Sequence, residues 1–300
     1  MKPILPCALF VLATAACGGS SDDTADAAAD ARTGSVDGNT PDAPGADATP
    51  PVDAPAGALV IYGLVEGNLV MIDPAVGATA TIIGPSAADA RFAWDDALST
   101  MFAIVTPYVN PSLGAIDLCT GEVTVGPALT LGGDPLQHAE GIAMRPDGTF
   151  FVCVDANGDA PTGVASESVG TVDLKSGAVT LLGSTLDTLQ DDCDSLTFRA
   201  PSTLYAFDGQ LPTAAGVYGV DQTTGAATVV SAGLDGDVSR VAWDPSRSVL
   251  WGHRRASREL VTIDLPTGDA TVVGVTHASA ADSPMFAFSV APRATCPAVR

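Results

Sequence analysis

From residue 58 onward the chain alternates apolar and polar positions in runs of four to six residues, which is the two-residue period of β-strands. Five of these runs stop at an aspartate: Leu69-Val70-Met71-Ile72, Leu113-Gly114-Ala115-Ile116, Val169-Gly170-Thr171-Val172, Val217-Tyr218-Gly219-Val220 and Leu260-Val261-Thr262-Ile263. Asp73, Asp117, Asp173, Asp221 and Asp264 are each followed four positions later by a glycine, Gly77, Gly121, Gly177, Gly225 and Gly268, and then by a second β-type run. An aspartate can accept backbone N–H bonds inside a tight turn, and a glycine supplies the left-handed backbone that closes it. Each phrase therefore predicts a hairpin, and the hairpins recur at spacings of 44, 56, 48 and 43 residues. Self-similarity at that period marks propeller blades or solenoid turns.

A second signal lies about 25 residues beyond each aspartate: Phe92-Ala93-Trp94, Ile142-Ala143-Met144, Leu196-Thr197-Phe198, Val241-Ala242-Trp243 and Phe286-Ala287-Phe288. In the first four repeats another strand follows, carrying Phe102-Ala103, Phe151-Val152, Tyr205-Ala206 or Trp251-Gly252. Turns such as Arg145-Pro146-Asp147-Gly148 separate the two strands with the residues a hairpin needs. Each repeat thus holds four strands, a to d from first to last. The fifth a strand, expected over Met285 to Val290, has no b strand after it, whereas Val60-Ile61-Tyr62-Gly63 is a b strand without an a strand. One ring closed by strands from both termini accounts for both, and closure removes exposed sheet edges. The expected fold is an all-β, five-bladed propeller over residues 57–294, with 295–300 as a tail. An open solenoid would not need the terminal half-blades, and a sandwich would not repeat at this period.

The first residues read differently. Lys2, the apolar run from Ile4 to Ala13 and the small residues before Cys17 form an export signal over 1–17, and this stretch resembles the lipobox of bacterial lipoproteins. That resemblance implies lipidation of Cys17 and a lipid anchor in the cell envelope, the outer membrane more than the inner. Ordinary signal cleavage after Ala15 is the alternative. Residues 18–56 hold eight Asp, one Arg and no aromatic, a composition that cannot offset its own ordering entropy and is expected to be a disordered tether.

Charge narrows the partners. The whole chain carries −22; residues 1–17 contribute +1 and 18–56 contribute −7, which leaves −16 on the repeats. Such a balance excludes nucleic acid and anionic membrane as expected partners, since both need clustered Lys and Arg. A protein, peptide, small ligand or cation remains open to what is expected to be a monomer.

Six cysteines reduce to four once Cys7 leaves with the signal and Cys17 is lipidated, and four in an exported domain imply two disulfides. In a four-stranded antiparallel blade the d–a and b–c connections share one face, and the a–b and c–d connections the other. Cys153 and Cys193 fall on the first face, while Cys119 and Cys296 fall toward the second, so Cys153–Cys193 and Cys119–Cys296 are the preferred pairs. The same face holds the site candidates. Asp89, Glu140, Asp194, Asp237 and Asp282 precede the five a strands and would converge at the channel mouth, where oxygen ligands suit Ca²⁺. A solvated rim with no ligand is the alternative. Asp155, Asn157 and Asp159 in the longest b–c loop resemble the start of a calcium loop, but no glutamate sits at its twelfth position.

Catalytic motifs are mostly absent: His138, His253 and His277 have no second ligand at zinc spacing, and there is neither a nucleophile elbow nor a phosphate loop. Aromatic residues total 16 and fall largely at expected core positions, so sugar-stacking platforms look scarce. Val217-Tyr218-Gly219-Val220-Asp221 through Thr228 resembles exported bacterial propellers of the YncE-like families, and Glu140-Gly141-Ile142-Ala143-Met144-Arg145-Pro146-Asp147-Gly148 is similar to NHL and gluconolactonase-like repeats. The resemblance implies the fold. Of the metal ligands of the gluconolactonase-like enzymes, only Glu140 has a counterpart here. Two functions are therefore carried forward: a tethered, non-enzymatic binding propeller, and a metal-assisted hydrolase or lactonase on the acidic face.

Overall fold

A computed structural model describes residues 58–87, 89–155, 167–183, 193–208, 216–234, 238–278, 285 and 287–296; among these there are strands and no helix. The strands form five sheets around one axis, each beginning with an a strand at the channel and antiparallel through its four blade strands. The first blade runs Arg91–Asp95, Thr100–Val105, Ser112–Ile116, Val123–Ala128, and the second Ala139–Met144, Phe150–Asp155, Glu167–Val172, Ala178–Leu181. A short hairpin, Thr130–Leu131 with Asp134–Pro135, extends the outer edge of the second blade. The third is Ser195–Arg199, Thr203–Asp208, Gly216–Val220, Ala227–Ala232, and the fourth Val238–Asp244, Val249–Arg254, Glu259–Ile263, Ala270–Val275.

The fifth blade is built from both ends of the chain. Phe288–Pro292 is its a strand, and Leu59–Val65, Asn68–Ile72 and Ala80–Pro85 are b, c and d. Leu59 pairs with Pro292, Ile61 with Val290 and Gly63 with Phe288. This strand lies later than the sequence pattern places it. Phe288-Ser289-Val290, two residues on from the expected triplet, occupies the place of Phe92-Ala93-Trp94 in the channel wall. The reason lies at Gly63, where any Cβ would collide with the side chain of Met285, so the buried Met285 packs against the sheet ahead of the strand.

Five apolar clusters, one at each junction between neighbouring blades, make the core. Phe150 and Ile104 meet between the first and second blades, Phe151 and Tyr218 between the second and third, and Phe207 and Leu250 between the third and fourth. Trp251 and Ile61 join the fourth to the fifth, and Tyr62 and Phe92 join the fifth to the first. Strand side chains alternate between the two faces of a blade, so both faces are buried against neighbours.

The repeated phrase folds as its composition requires. The Gly177 N–H donates to the Asp173 carbonyl at 2.8 Å, and the Asp173 carboxylate accepts from the Lys175 and Ser176 N–H groups, both at 2.9 Å. Asp221 repeats this with Thr223, Thr224 and Gly225. The hydroxyl in the phrase has its own work: Thr120, Ser176, Thr224 and Thr267 each accept the N–H two residues on. Gly177, at φ +74°, also lies so close to the Ala128 carbonyl that a side chain would collide, so the turn is wedged against the d strand of the preceding blade.

Cys119 is bonded to Cys296, with Cα atoms 5.4 Å apart, and Cys153 to Cys193, at 6.1 Å. The first pair ties the C-terminal segment to the c–d turn of the first blade across a sequence separation of 177 residues. Closing such a loop in the unfolded chain is worth at most about 5 kcal/mol in the chain-entropy account. The Cys119→Ser, Cys296→Ser double variant should lose about 2–4 kcal/mol in urea unfolding and remain folded. Deleting residues 285–300 should go further and abolish cooperative unfolding, because it opens two sheet edges; a stable monomer after that deletion would contradict ring closure.

Candidate functional site: the channel and its two mouths

The five a strands stack their side chains around the axis in layers. At the end reached by the d–a connections stand Arg91, Glu140, Asp194, Arg240 and Ala287. Phe92, Ile142, Leu196, Val241 and Phe288, all buried, form an apolar constriction. Beyond it Trp94, Met144, Phe198, Trp243 and Val290, all half-buried, line the opposite mouth.

Bulges aim the charged layer. Strand register shifts between Ala139 and Ile142 and between Val238 and Arg240, which turns Glu140 and Arg240 toward the axis. Gly141 permits the fit, since a Cβ there would sit 2.8 Å from the Cys193 carbonyl oxygen. Cys193 is held by its disulfide and donates its N–H to the Glu167 carboxylate, which fixes Asp194 beside it.

Arg240 Nη1 lies 2.5 Å from Asp194 Oδ1, and Arg91 Nη2 lies 3.3 Å from Glu140 Oε1. Arg91 also donates to the Tyr108 hydroxyl at 2.5 Å, Tyr108 stacks on His138 at 5.2 Å, and His138 Nε2 is 3.3 Å from Glu140. Arg91, Glu140, Asp194 and Arg240 are 3–5% exposed, so their attraction acts largely outside water. Burial alone would raise the Glu140 carboxyl, but the hydrogen bond with His138 and the charges of Arg91 and Arg240 bring it down to about 2. Burial opposes the charge on Arg240, yet Asp194 and Glu140 hold its guanidinium above the ordinary value. Burial pushes the Tyr108 hydroxyl to about 12. Among the described residues, two carboxylates face two guanidiniums in this layer, and the space between them, about 10 Å³, holds about one water.

Of the five carboxylates expected to converge, Glu140 and Asp194 share this layer. Asp89 is exposed, and its contact with the layer is a backbone carbonyl that accepts from Arg91 at 3.2 Å. Asp237 and Asp282 lie outside the described residues, and Ala287 holds the fifth blade's place in the layer. Asp155 is buried in a b strand opposite Glu167, while Asn157, Asp159 and Cys17 lie outside the described residues. Cys153, Glu167 and Cys193 place their ligand atoms within 4.8 Å of one another, but the disulfide occupies both sulfurs.

The opposite mouth is a funnel of about 210 Å³. Its wall carries Trp94, Phe198 and Trp243 with Met144, and its rim Asp96, Pro146 and Pro245. The Trp94 indole N–H donates to Asp96 Oδ1 at 2.6 Å, and the Arg199 guanidinium lies 4.7 Å from the Trp243 ring centre. Strand period assigns these aromatics to the core; their position at the end of the a strand opens them to the channel instead, so stacking platforms are present after all. No periodicity in a single strand distinguishes the two settings. The arginines of the charged layer, Arg91 and Arg240, were also missed, although each stands just before a large apolar a-strand residue.

His253 and His277, far apart in sequence, stack at 5.9 Å, and His253 Nε2 meets the Thr276 hydroxyl at 3.3 Å. Burial, with the charges of His277 and Arg240, lowers His253 to about 3, so it stays neutral in the fold.

No protein family's sequence profile matches the chain, and no curated protein matches it. Solved structures do. A chain of the nidogen/laminin complex aligns with TM-score 0.51 at 13% identity, covering 78% of this chain and 99% of that one. A gluconolactonase from Xanthomonas campestris aligns with TM-score 0.48 at 15% identity over 74% of this chain and 78% of its own. The calcium-binding protein regucalcin from Agrobacterium tumefaciens gives 0.44 at 19%, over 74% and 72%. At these identities the likeness shows the fold alone.

Arg240→Met should cost about 3–5 kcal/mol in urea unfolding, because Asp194 keeps a buried charge without the guanidinium that balances it, and adding Asp194→Leu should recover most of it. Acid should destabilise in two stages. The unfolded chain protonates His253 below about 6.5 while the folded chain does not until about 3, so stability falls as pH drops through that window. Glu140 adds a loss from about 4.5 toward 2. His253→Phe should flatten the first stage; a wild-type urea midpoint constant from pH 7 to 4.5 would contradict the assignment.

Proposed function

We propose that the chain is an exported, non-enzymatic propeller, tethered to the cell envelope through Cys17, that binds its ligand at the aromatic mouth of the channel. The observation that carries this reading is the charge balance at the other mouth. A metal-assisted hydrolase needs carboxylates available to a divalent ion and to a reacting water. Glu140 and Asp194 instead pair with Arg91 and Arg240 through Oε1 and Oδ1, so a cation reaching Glu140 Oε2, which has no hydrogen bond among the described residues, would have to enter beside two positive charges. The funnel, in contrast, has ligand-accepting walls and no histidine, cysteine, lysine or glutamate among its lining residues. Aromatic faces with a few polar groups at the rim are the usual composition of a binding pocket.

Two experiments bear on this reading. Hydrolysis of sugar lactones and aryl esters, assayed with Ca²⁺, Zn²⁺ or Mn²⁺ added, should not exceed the buffer rate; metal-dependent turnover abolished by Glu140→Gln would establish the hydrolase. Cys17→Ser should move the protein from the membrane fraction to the soluble exported fraction, and unchanged membrane association would remove the lipid anchor.

A further inference from the structure

We propose that the aromatic mouth takes an organic cation, a quaternary or protonated ammonium group on a compact apolar body. This rests on the binding reading above and adds the ligand's chemistry. Three observations point to it. First, the lining residues include one carboxylate, Asp96, and no basic side chain, which disfavours an anionic guest and favours a positive one. Second, the large half-buried groups facing the funnel are Trp94, Phe198, Trp243 and the Met144 thioether. Indole and phenyl faces carry negative potential that attracts a cation, most strongly for tryptophan.

Third, a hydrogen bond orients and strengthens the Trp94 face. Trp94 gives its N–H to the Asp96 carboxylate at 2.6 Å, which fixes the ring and shifts electron density into it. The Trp243 ring already has a cationic partner, the Arg199 guanidinium 4.7 Å from its centre, with which a guest on that ring would compete. The constriction of Phe92, Ile142, Leu196, Val241 and Phe288 closes the floor of the funnel with apolar surface, so a bound head group would lose water on that side. Desolvation raises the attraction between a cation and an aromatic face. A volume of about 210 Å³ is below the roughly 300 Å³ of sites for drug-sized ligands, which suits a small head group.

The test compares choline with its carbon isostere, in which a neutral tert-butyl group replaces the trimethylammonium. Binding to the purified exported protein is followed by tryptophan fluorescence and calorimetry. Choline should bind at least about fivefold more tightly than the isostere. Asp96→Asn should weaken choline several-fold and leave the isostere unchanged, whereas Arg199→Ala should strengthen choline by removing a nearby positive charge. Both substituted side chains are exposed, and an unchanged melting curve for each variant confirms that the fold is intact. Equal binding of choline and the isostere would overturn the cation class while leaving the mouth a binding site. Failure of both probes to bind would overturn this inference, and the turnover assay would then decide separately whether the chain is a binding module or a hydrolase.

Discussion

The pairing of Leu59–Val65 with Phe288–Pro292 is the contact on which the channel depends. Without it the fifth blade lacks its innermost strand, and the first and fourth blades lose the wall between them. Side chains reinforce the join. The Tyr62 hydroxyl accepts the Ala294 N–H at 2.9 Å, the Arg293 N–H donates to the Ala58 carbonyl at 3.1 Å, and the Arg293 guanidinium pairs with Asp73. Cys119–Cys296 then fastens the same segment to the neighbouring blade. Contacts between residues more than 200 positions apart must form before the ring is complete, so much of the loop entropy is offset late and by these few groups.

Closure gives the channel its two unlike ends. Where the a strands begin, bulges in the second and fourth blades and a disulfide hold charged side chains in reach of one another, and charge compensation makes their burial tolerable. Where each a strand ends, large apolar residues are half-exposed because the channel leaves no neighbour to cover them. The same five strands thus produce a paired but incompletely hydrogen-bonded polar plug, in which Arg91 Nε and Glu140 Oε2 are buried without a hydrogen bond among the described residues, and an open apolar mouth. Their difference in chemistry, with charges paired at one end and aromatic faces open at the other, is the ground on which the proposed binding reading rests.

Much of the fold was legible in the sequence because the repeat carries its physics locally. Asp117, Asp173, Asp221 and Asp264 each make the turn that their spacing to glycine predicts, and orphan strands at the two ends required closure. The fifth a strand was displaced by two residues, since the packing of Met285 against Gly63 leaves no periodic trace. The site was less legible. Carboxylates ahead of the a strands were visible as residue types, but pairing with Arg91 and Arg240 arises from blades brought together by the ring. The roles of Trp94, Phe198 and Trp243 were hidden for the same reason: an apolar residue in a strand reads identically whether a neighbouring blade or the channel faces it.

The claim that the acidic mouth is neutralised from within is tested most directly by a crystal structure of the propeller grown in excess calcium. The account predicts that Glu140 and Asp194 keep Arg91 and Arg240 as partners and that no ion is coordinated between them. A calcium ion bound by either carboxylate, with its arginine displaced, would contradict it.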